Sequence, residues 1–205
     1  MITILYHRKW YFLCAICDKP IDTPTTVYNA IINSSRCTQH KIKPGTSFAE
    51  MAIFFSFIRC LSKFPYIEVS HKYKYYRSRE FDIFIIVTIN DVQYFFAVEV
   101  DGKHHGNTVQ KDMEKNQYAA NNKIHLERIR DLELADIELE NFNNIIQRTS
   151  TDKKELNKII PELLNRFIKW LSNLNMENEK FKKLKASIIK EIKNVDVIRD
   201  EKAIF

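Results

Sequence analysis

Two apolar segments in the middle of the chain, residues 81–89 and 92–100, place acidic side chains where they could bind a metal ion. Both segments are rich in β-branched and aromatic residues, and a single Asn-Asp dipeptide separates them, so the pattern predicts a hairpin with a two-residue turn. Counting outward from that turn places Asp82 opposite Glu99. Two carboxylates about 5 Å apart repel each other, whereas a bound divalent cation would make the arrangement favourable. Hard oxygen ligands of this kind suit Mg²⁺, which also accepts water and phosphate as ligands.

A second acidic pair extends this face of the predicted hairpin, because Glu80 and Asp101 lie two residues farther from the turn than Asp82 and Glu99. The remaining residues of both segments are apolar on both faces, which predicts central strands that are covered on each side. We therefore expect four carboxylates at one rim of a buried sheet, where Mg²⁺ would support phosphodiester hydrolysis. The alternative is that the hairpin frays beyond its apolar residues and leaves the four acids on an exposed edge.

Three of the four cysteines lie near the N-terminus and have the spacing of a zinc site. Cys14-x-x-Cys17 followed by Cys37-x-x-His40 gives two ligand pairs separated by a loop, as in tetrahedral sites made of three cysteines and one histidine. Such a closed site has no open position for a substrate, so its role would be to fold the N-terminal segment. The alternative is that these are buried free cysteines beside a surface histidine. Cys60 lies in an apolar stretch and is expected in the core.

The segments around the hairpin predict the elements that position it. Residues 47–59 begin with the Ser-x-x-Glu pattern of a capping box and are apolar almost all round, which predicts a buried helix. We expect the further elements in this order: a strand or strand pair over 66–79, the hairpin, a polar helix over 108–122, a strand over 123–129, and amphipathic helices over 156–171 and 177–194.

Composition and the position of the breaks predict three regions. A chain of 205 residues with 45% hydrophobic content can form one core with a small appendage. The Pro-Gly pair at residues 44–45 marks the first boundary. We predict a zinc-binding module over residues 1–44, an α/β core over 45–135 and a helical C-terminal region over 136–205. That last region would clamp DNA, form a dimer or cover the sheet, and covering the sheet is the commonest outcome for an apolar stripe.

Charge and hydropathy are compatible with a nucleic-acid partner and not with a membrane one. The net charge of +6 and the pI near 9.0 fit a polyanion, although surplus lysine is also ordinary on a soluble surface. No segment reaches the roughly 18 apolar residues that a membrane span needs, and no secretory signal is present, so we expect a cytoplasmic protein with no membrane partner. The sequence also lacks a glycine-rich phosphate loop, which disfavours nucleotide-driven chemistry.

The order of these motifs resembles the PD-(D/E)XK nuclease superfamily, and its very-short-patch-repair-like branch is the closest form. The residues that carry the resemblance are Phe81-Asp82-Ile83, Val98-Glu99-Val100-Asp101-Gly102-Lys103-His104-His105, Asp112 with Lys115, and Leu126-Glu127-Arg128-Ile129. The match in order extends from residue 47 to about 130. The resemblance implies a restriction-endonuclease-like core, a mixed central sheet flanked by helices, and an Mg²⁺-dependent endonuclease acting on double-stranded DNA. Symmetric cleavage of both strands would need two active sites and hence usually a homodimer, whereas a nicking enzyme could be a monomer.

The resemblance also implies roles for individual residues. Asp82 and Glu99 would bind the catalytic Mg²⁺, and Asp101 would assist them. His105 would orient the scissile phosphate or protonate near it. Glu50 would approach from the first helix, although the capping box explains its position equally well.

Two positions depart from the family pattern. Phe81 replaces the proline of the motif, and Asp101 stands where the Glu-x-Lys form has its lysine, so the lysine is unassigned. Lys103 or Lys111 would supply that positive charge from a neighbouring position, or His105 would take the role. We favour His105.

Basic residues predict where DNA would lie. Lys111 and Arg128 would contact it from the core, and Arg36 and Lys41 from beside the zinc ligands. Arg128 would otherwise face solvent on its strand, and we expect Arg130 to do so.

Two other classes of function remain open. One is a DNA-binding module that keeps the nuclease fold without activity, which the missing lysine would explain. The other is a structural protein with no dependence on divalent metals. Within the nuclease class, the residues do not distinguish restriction, homing, mismatch nicking and phage defence.

Overall fold

A computed structural model of the chain describes residues 46–76, 79–102, 109–134 and 144–201. Its helices and strands, in chain order, are α1 (Phe48–Leu61), β1 (Ile67–Tyr76), β2 (Arg79–Ile89), β3 (Val92–Asp101), α2 (Val109–Asn121), β4 (Ile124–Arg130), β5 (Ile145–Gln147), α3 (Leu156–Ser172) and α4 (Asn178–Asn194). Short 3₁₀ turns cover Leu132–Leu134 and Lys153–Glu155. The predicted helices and strands are confirmed. The strand β5 was not predicted, because its three residues lie in a region whose pattern is mainly helical.

The strands form one mixed sheet in the order β1-β2-β3-β4-β5. β1, β2 and β3 are antiparallel neighbours, whereas β3, β4 and β5 run parallel. A parallel pair needs a crossover connection, and α2 lies on the one between β3 and β4. The predicted α/β class, with a mixed sheet flanked by helices, is therefore confirmed.

The turn between β2 and β3 fixes the pairing of the two central strands. Asn90 and Asp91 both have positive φ angles, 48° and 64°, as a two-residue type I′ hairpin requires. Cα pairs run from Ile89–Val92 at the turn to Ile83–Val98. This is the register that the sequence predicts.

Each face of the central strands is covered by helices. Ile83, Ile85, Val87, Phe96 and Val98 belong to the main apolar core, together with residues of α1, α3 and α4. The opposite face of the same strands carries a smaller cluster that includes Phe84, Ala97, Leu126 and, from α2, Ala119. The prediction that these strands are central and covered on both sides is confirmed.

The two C-terminal helices complete the main core. Phe167 of α3 packs against Phe96 of β3, with ring centroids 4.9 Å apart, and edge-on against Phe57 of α1 at 5.4 Å. Leu184 and Ile188 of α4 are fully buried in the same core. This is the predicted role of covering the sheet. Among the described residues, no helix has the length and apolar content to cross a membrane.

Candidate active site

Asp82 and Glu99 lie side by side where β2 and β3 separate, as the register predicts. The backbone N–H of Asp82 donates to Oε1 of Glu99 at 3.2 Å, and the backbone N–H of Val100 donates to Oδ2 of Asp82 at 2.8 Å. Glu99 is only 1% exposed, whereas Asp82 is half-buried and lines a cavity. The two carboxylates are thus tied to each other's strands at the edge of the core.

Lys115 of α2 supplies the positive charge at this site. Its ammonium group donates to Oε2 of Glu99, and its side chain is 16% exposed. Of the positions weighed for the missing lysine, Lys111 is exposed on the same helix one turn earlier. The signal that could have found Lys115 is its position one helical turn after Lys111, on a helix that must cross back over the face of β3 carrying Glu99.

Glu50 both caps α1 and lies beside Asp82, which are the two positions that the sequence left open for it. It forms the capping box of α1: its N–H donates to Oγ of Ser47 at 3.1 Å, and the N–H of Ser47 donates to its Oε2 at 3.3 Å. Its Oε1 lies 2.5 Å from Nε2 of His71 in β1 and 4.0 Å from Nζ of Lys72. Glu50 also lines the cavity beside Asp82. The cap therefore holds a buried carboxylate at the site.

Asp101 lies at the end of β3 but is bound by arginine. Nη1 of Arg128 donates to its two carboxylate oxygens at 2.7 and 2.9 Å, and Asp101 is 2% exposed. The Cα pairs of β2 with β3 stop at Ile83–Val98. Glu80 lies beyond these pairs, and its Cα partner on the other side of β2 is Lys74 of β1. The predicted row of four carboxylates is therefore wrong, because Arg128 binds Asp101 and the paired part of β2 and β3 ends before Glu80.

Arg128 is buried, so the prediction that it contacts DNA is wrong. Its side chain is 0% exposed, and besides Asp101 it donates to Oδ1 of Asn116 at 2.9 Å and to the carbonyl oxygen of Asp112 at 3.2 Å. It thus joins β4 to β3 and α2 from inside the protein. Arg130 was expected to face solvent, but it is 5% exposed, with Nε 3.9 Å from Asp101. Both predictions fail because buried acids attract these guanidinium groups inward.

The electrostatics of the site favour protonation or a bound cation. Burial raises the pKa of Asp82 well above its ordinary value, and the carboxylates of Glu99 and Glu50 raise it further. Burial also raises the pKa of Glu99, against the opposing effects of Lys115 and Arg128. Burial alone would lower the pKa of Lys115, but the contact with Glu99 more than offsets it, so that pKa is raised. The raised pKa of Lys115 favours its charged form, whereas burial and the neighbouring carboxylates disfavour the ionised form of Asp82.

A cavity of about 610 Å³ opens beside Asp82. Its wall comes from the start of α1, from β1, from the ends of β2 and β3, and from the segment that precedes α3. The charged residues that line it are Glu50, Lys72, Asp82, Asp101, Asp131, Arg148 and Lys153. Among the basic residues, Arg148 is paired with Asp131 at 2.7 Å and Lys153 with Glu201 at 2.5 Å. The cavity therefore offers both cations and acids within one concave surface.

Several predicted site residues lie outside the described residues. They are Lys103 and His105 after β3, and the zinc ligands Cys14, Cys17, Cys37 and His40 with the neighbouring Arg36 and Lys41. The remaining cysteine, Cys60, is buried in the main core, as predicted.

The described residues fit a magnesium ion in the chemistry of their donors. Asp82 and Glu99 are neighbouring carboxylates, and Mg²⁺ commonly binds one or two carboxylates and keeps waters in its other positions. The raised pKa of Asp82 marks a negative charge that a cation would stabilise. No group of three or more metal-ligating side chains occurs within the described part of the chain.

Comparison of the chain with models of protein families, with curated proteins and with solved structures gave no match.

Proposed function

We propose that the protein is a metal-dependent DNA endonuclease with a restriction-endonuclease-like core. The observation that carries this proposal is the adjacent pair Asp82 and Glu99, with Lys115 on Glu99 and a cavity next to Asp82. Two carboxylates, one ammonium group and space for a phosphate are the parts that Mg²⁺-assisted phosphodiester hydrolysis requires. The order of helix, three antiparallel strands, crossover helix and parallel strand agrees with the motif order of the superfamily that the sequence resembles.

Asp82 and Glu99 would hold Mg²⁺, which would supply the Lewis acidity that activates water and polarises the phosphate. Lys115 acts against the rise that burial causes in the pKa of Glu99, and it brings a fixed positive charge within reach of the same site. That charge would offset the negative charge that develops on the phosphate in the transition state. We therefore propose Lys115 for the role for which the sequence favoured His105, with Lys103 and Lys111 as alternatives.

Double-stranded DNA is the proposed substrate because the chain is basic and the cavity carries three cationic side chains, Lys72, Arg148 and Lys153. Lys111 would contact the DNA backbone from the exposed side of α2. The zinc-binding module proposed for residues 1–44 would present Arg36 and Lys41 to the same backbone. A cytoplasmic location and a homodimer for double-strand cleavage complete the proposal.

The test is cleavage of a supercoiled plasmid and a short duplex by the parent protein with Mg²⁺, Mn²⁺ or EDTA. Asp82→Asn and Glu99→Gln remove one charge each with little change of shape, and both should abolish cleavage. The matched control is Glu68→Gln, because Glu68 is an exposed acid on β1 away from the cavity. A parent protein that cuts equally well in EDTA, or an active Asp82→Asn variant, would contradict the proposal.

A second candidate function is a DNA-binding module that has the fold but no activity. The ion pair between Lys115 and Glu99 favours it, because an ammonium group on Oε2 takes a position that a metal ion would otherwise use. This module would bind duplex DNA in EDTA as tightly as in Mg²⁺ and would leave plasmid intact. Cleavage that depends on Asp82 excludes it.

A further inference from the structure

In both β1 and β2, the alternation of side chains between the two faces of the sheet reverses at one pair of opposite residues. At the paired residues His71 and Ile83, His71 packs against Phe54 of α1, with ring centroids 5.2 Å apart, and Ile83 belongs to the same main core. Two residues closer to the connection between β1 and β2, the side chains lie on the other face. Tyr73 stacks on Phe84 with ring centroids 4.2 Å apart, and Phe81 lies in the smaller cluster with Phe84. Residues two apart in a regular strand share a face, so both strands reverse between these pairs.

Lys72 and Asp82 occupy the point of reversal. The Cα pairs on either side are His71–Ile83 and Tyr73–Phe81, so the register places Lys72 opposite Asp82. Lys72 has a φ of 52°, in the left-handed region that disfavours residues with a β-carbon. It is the one non-glycine residue within a strand of the described segments that has a positive φ. Backbone strain of this kind persists where the surrounding structure imposes it, and it is concentrated at functional sites.

The reversal brings the Lys72 side chain to the cavity. Its Nζ lies 4.0 Å from Oε1 of Glu50, and the side chain is only 11% exposed. Lys72 lines the cavity together with Glu50 and Asp82. An ammonium group is a compact point charge with three hydrogen-bond donors, which suits a phosphate oxygen.

We propose that Lys72 is a phosphate-binding residue, which holds a phosphodiester of the nucleic-acid backbone in the cavity against Asp82. The proposal rests on the proposed function, because it assigns the substrate group to that same site. Lys115 reaches Glu99 from α2, whereas Lys72 approaches Asp82 from β1, so the two lysines would bind from different sides of the carboxylate pair. A purely structural role for Lys72 would be to offset the charge of Glu50.

The test compares Lys72→Gly with Lys72→Arg and with Lys74→Gln. Glycine adopts a φ of 52° without strain, so Lys72→Gly removes the ammonium group without forcing the backbone out of its conformation. Lys72→Arg keeps the positive charge. Lys74 is an exposed lysine on the same strand and serves as the control. The probe is a short fluorescein-labelled duplex, whose binding is followed by anisotropy over a salt series in Ca²⁺, beside single-turnover cleavage in Mg²⁺.

Loss of one phosphate contact should lower the slope of log affinity against log salt by about 0.9 for Lys72→Gly. It should also slow cleavage, while Lys72→Arg keeps most of the slope and Lys74→Gln matches the parent. If Lys72→Gly proves unstable, Lys72→Gln removes the same charge and should give the same change of slope. A parent that cleaves DNA and a Lys72→Gly variant with unchanged slope and rate would overturn this proposal alone. A parent that neither binds nor cleaves the duplex would overturn the proposed function as well.

Discussion

Lys115 and Glu99 form an ion pair between α2 and β3 in which the carboxylate is 1% exposed and the lysine 16%. The second oxygen of Glu99 accepts the backbone N–H of Asp82. Glu99 therefore has a partner on each oxygen, and the contact with Lys115 acts against the rise in its pKa that burial causes, whereas burial and nearby carboxylates raise the pKa of Asp82.

Removal of Lys115 alone should destabilise the fold. Lys115→Met leaves the Glu99 carboxylate buried without its cation, which typically costs about 3–5 kcal/mol, whereas the double variant Glu99→Gln with Lys115→Met should recover much of that loss. The free energy of unfolding from urea titrations measures both. Equal stability of Lys115→Met and the parent would mean that this contact contributes nothing to the fold.

Neutralising Asp82 should stabilise the protein at neutral pH. The raised pKa means that the native state binds this proton more tightly than the unfolded state, so the parent loses stability as pH rises from the ordinary aspartate pKa towards the raised one. Asp82→Asn avoids that loss and should melt several degrees higher at pH 7, since 1 kcal/mol corresponds to about 2–4 °C in a chain of this size. Below the ordinary aspartate pKa the difference should disappear. A lower melting temperature for Asp82→Asn at pH 7 is the contrary result.

Magnesium should stabilise the parent protein but not the Asp82→Asn variant. An ion that binds only the native state raises its stability, so Mg²⁺ should raise the melting temperature of the parent at pH 7, and removal by EDTA should reverse the change. Asp82→Asn should show little response. The control is Glu68→Gln, which should respond as the parent does. A response of equal size in Asp82→Asn would place the ion elsewhere.

Arg128 should prove essential to the fold and not to DNA contact. Arg128→Met leaves Asp101 buried without its main partner, and the expected loss of stability is again about 3–5 kcal/mol. The double variant Asp101→Asn with Arg128→Met should be more stable than the single one. Urea unfolding gives these values, and anisotropy with a labelled duplex gives the affinity. An Arg128→Met variant with normal stability and weaker DNA binding would instead support the predicted contact between Arg128 and a DNA phosphate.

The zinc proposal gives a prediction about metal content. The purified protein should carry one Zn²⁺ per chain, and Cys14→Ser or Cys37→Ser should lose it, because a tetrahedral site needs all four ligands. Cys60→Ala should keep the zinc, since Cys60 is buried in the main core. Elemental analysis of the three variants measures this. Full zinc content in Cys14→Ser would exclude that residue as a ligand.

The sequence predicted those parts of the site that local rules determine. The opposition of Asp82 and Glu99 follows from a two-residue turn and from strands that are apolar on both faces. The position of Lys115 over Glu99 depends on how α2 packs on the sheet, and a polar helix carries little periodic signal for that.

The errors on β4 have a different physical cause. Arg128 and Arg130 alternate with apolar Ile129, as the wet positions of a half-exposed strand would, yet both are buried. Both lie within reach of the buried carboxylate of Asp101 on β3. Such pairs join residues far apart in the chain, so periodicity within one segment cannot predict them.

The turn at Asn90 and Asp91 has a consequence for variation in chain length. Surface turns usually tolerate inserted residues. If the hairpin kept its two-residue turn, one added residue would shift β3 against β2 by one position and carry the Glu99 side chain to the other face of the sheet. A change in the length of an exposed loop would then separate Asp82 from Glu99 as thoroughly as replacement of a carboxylate would.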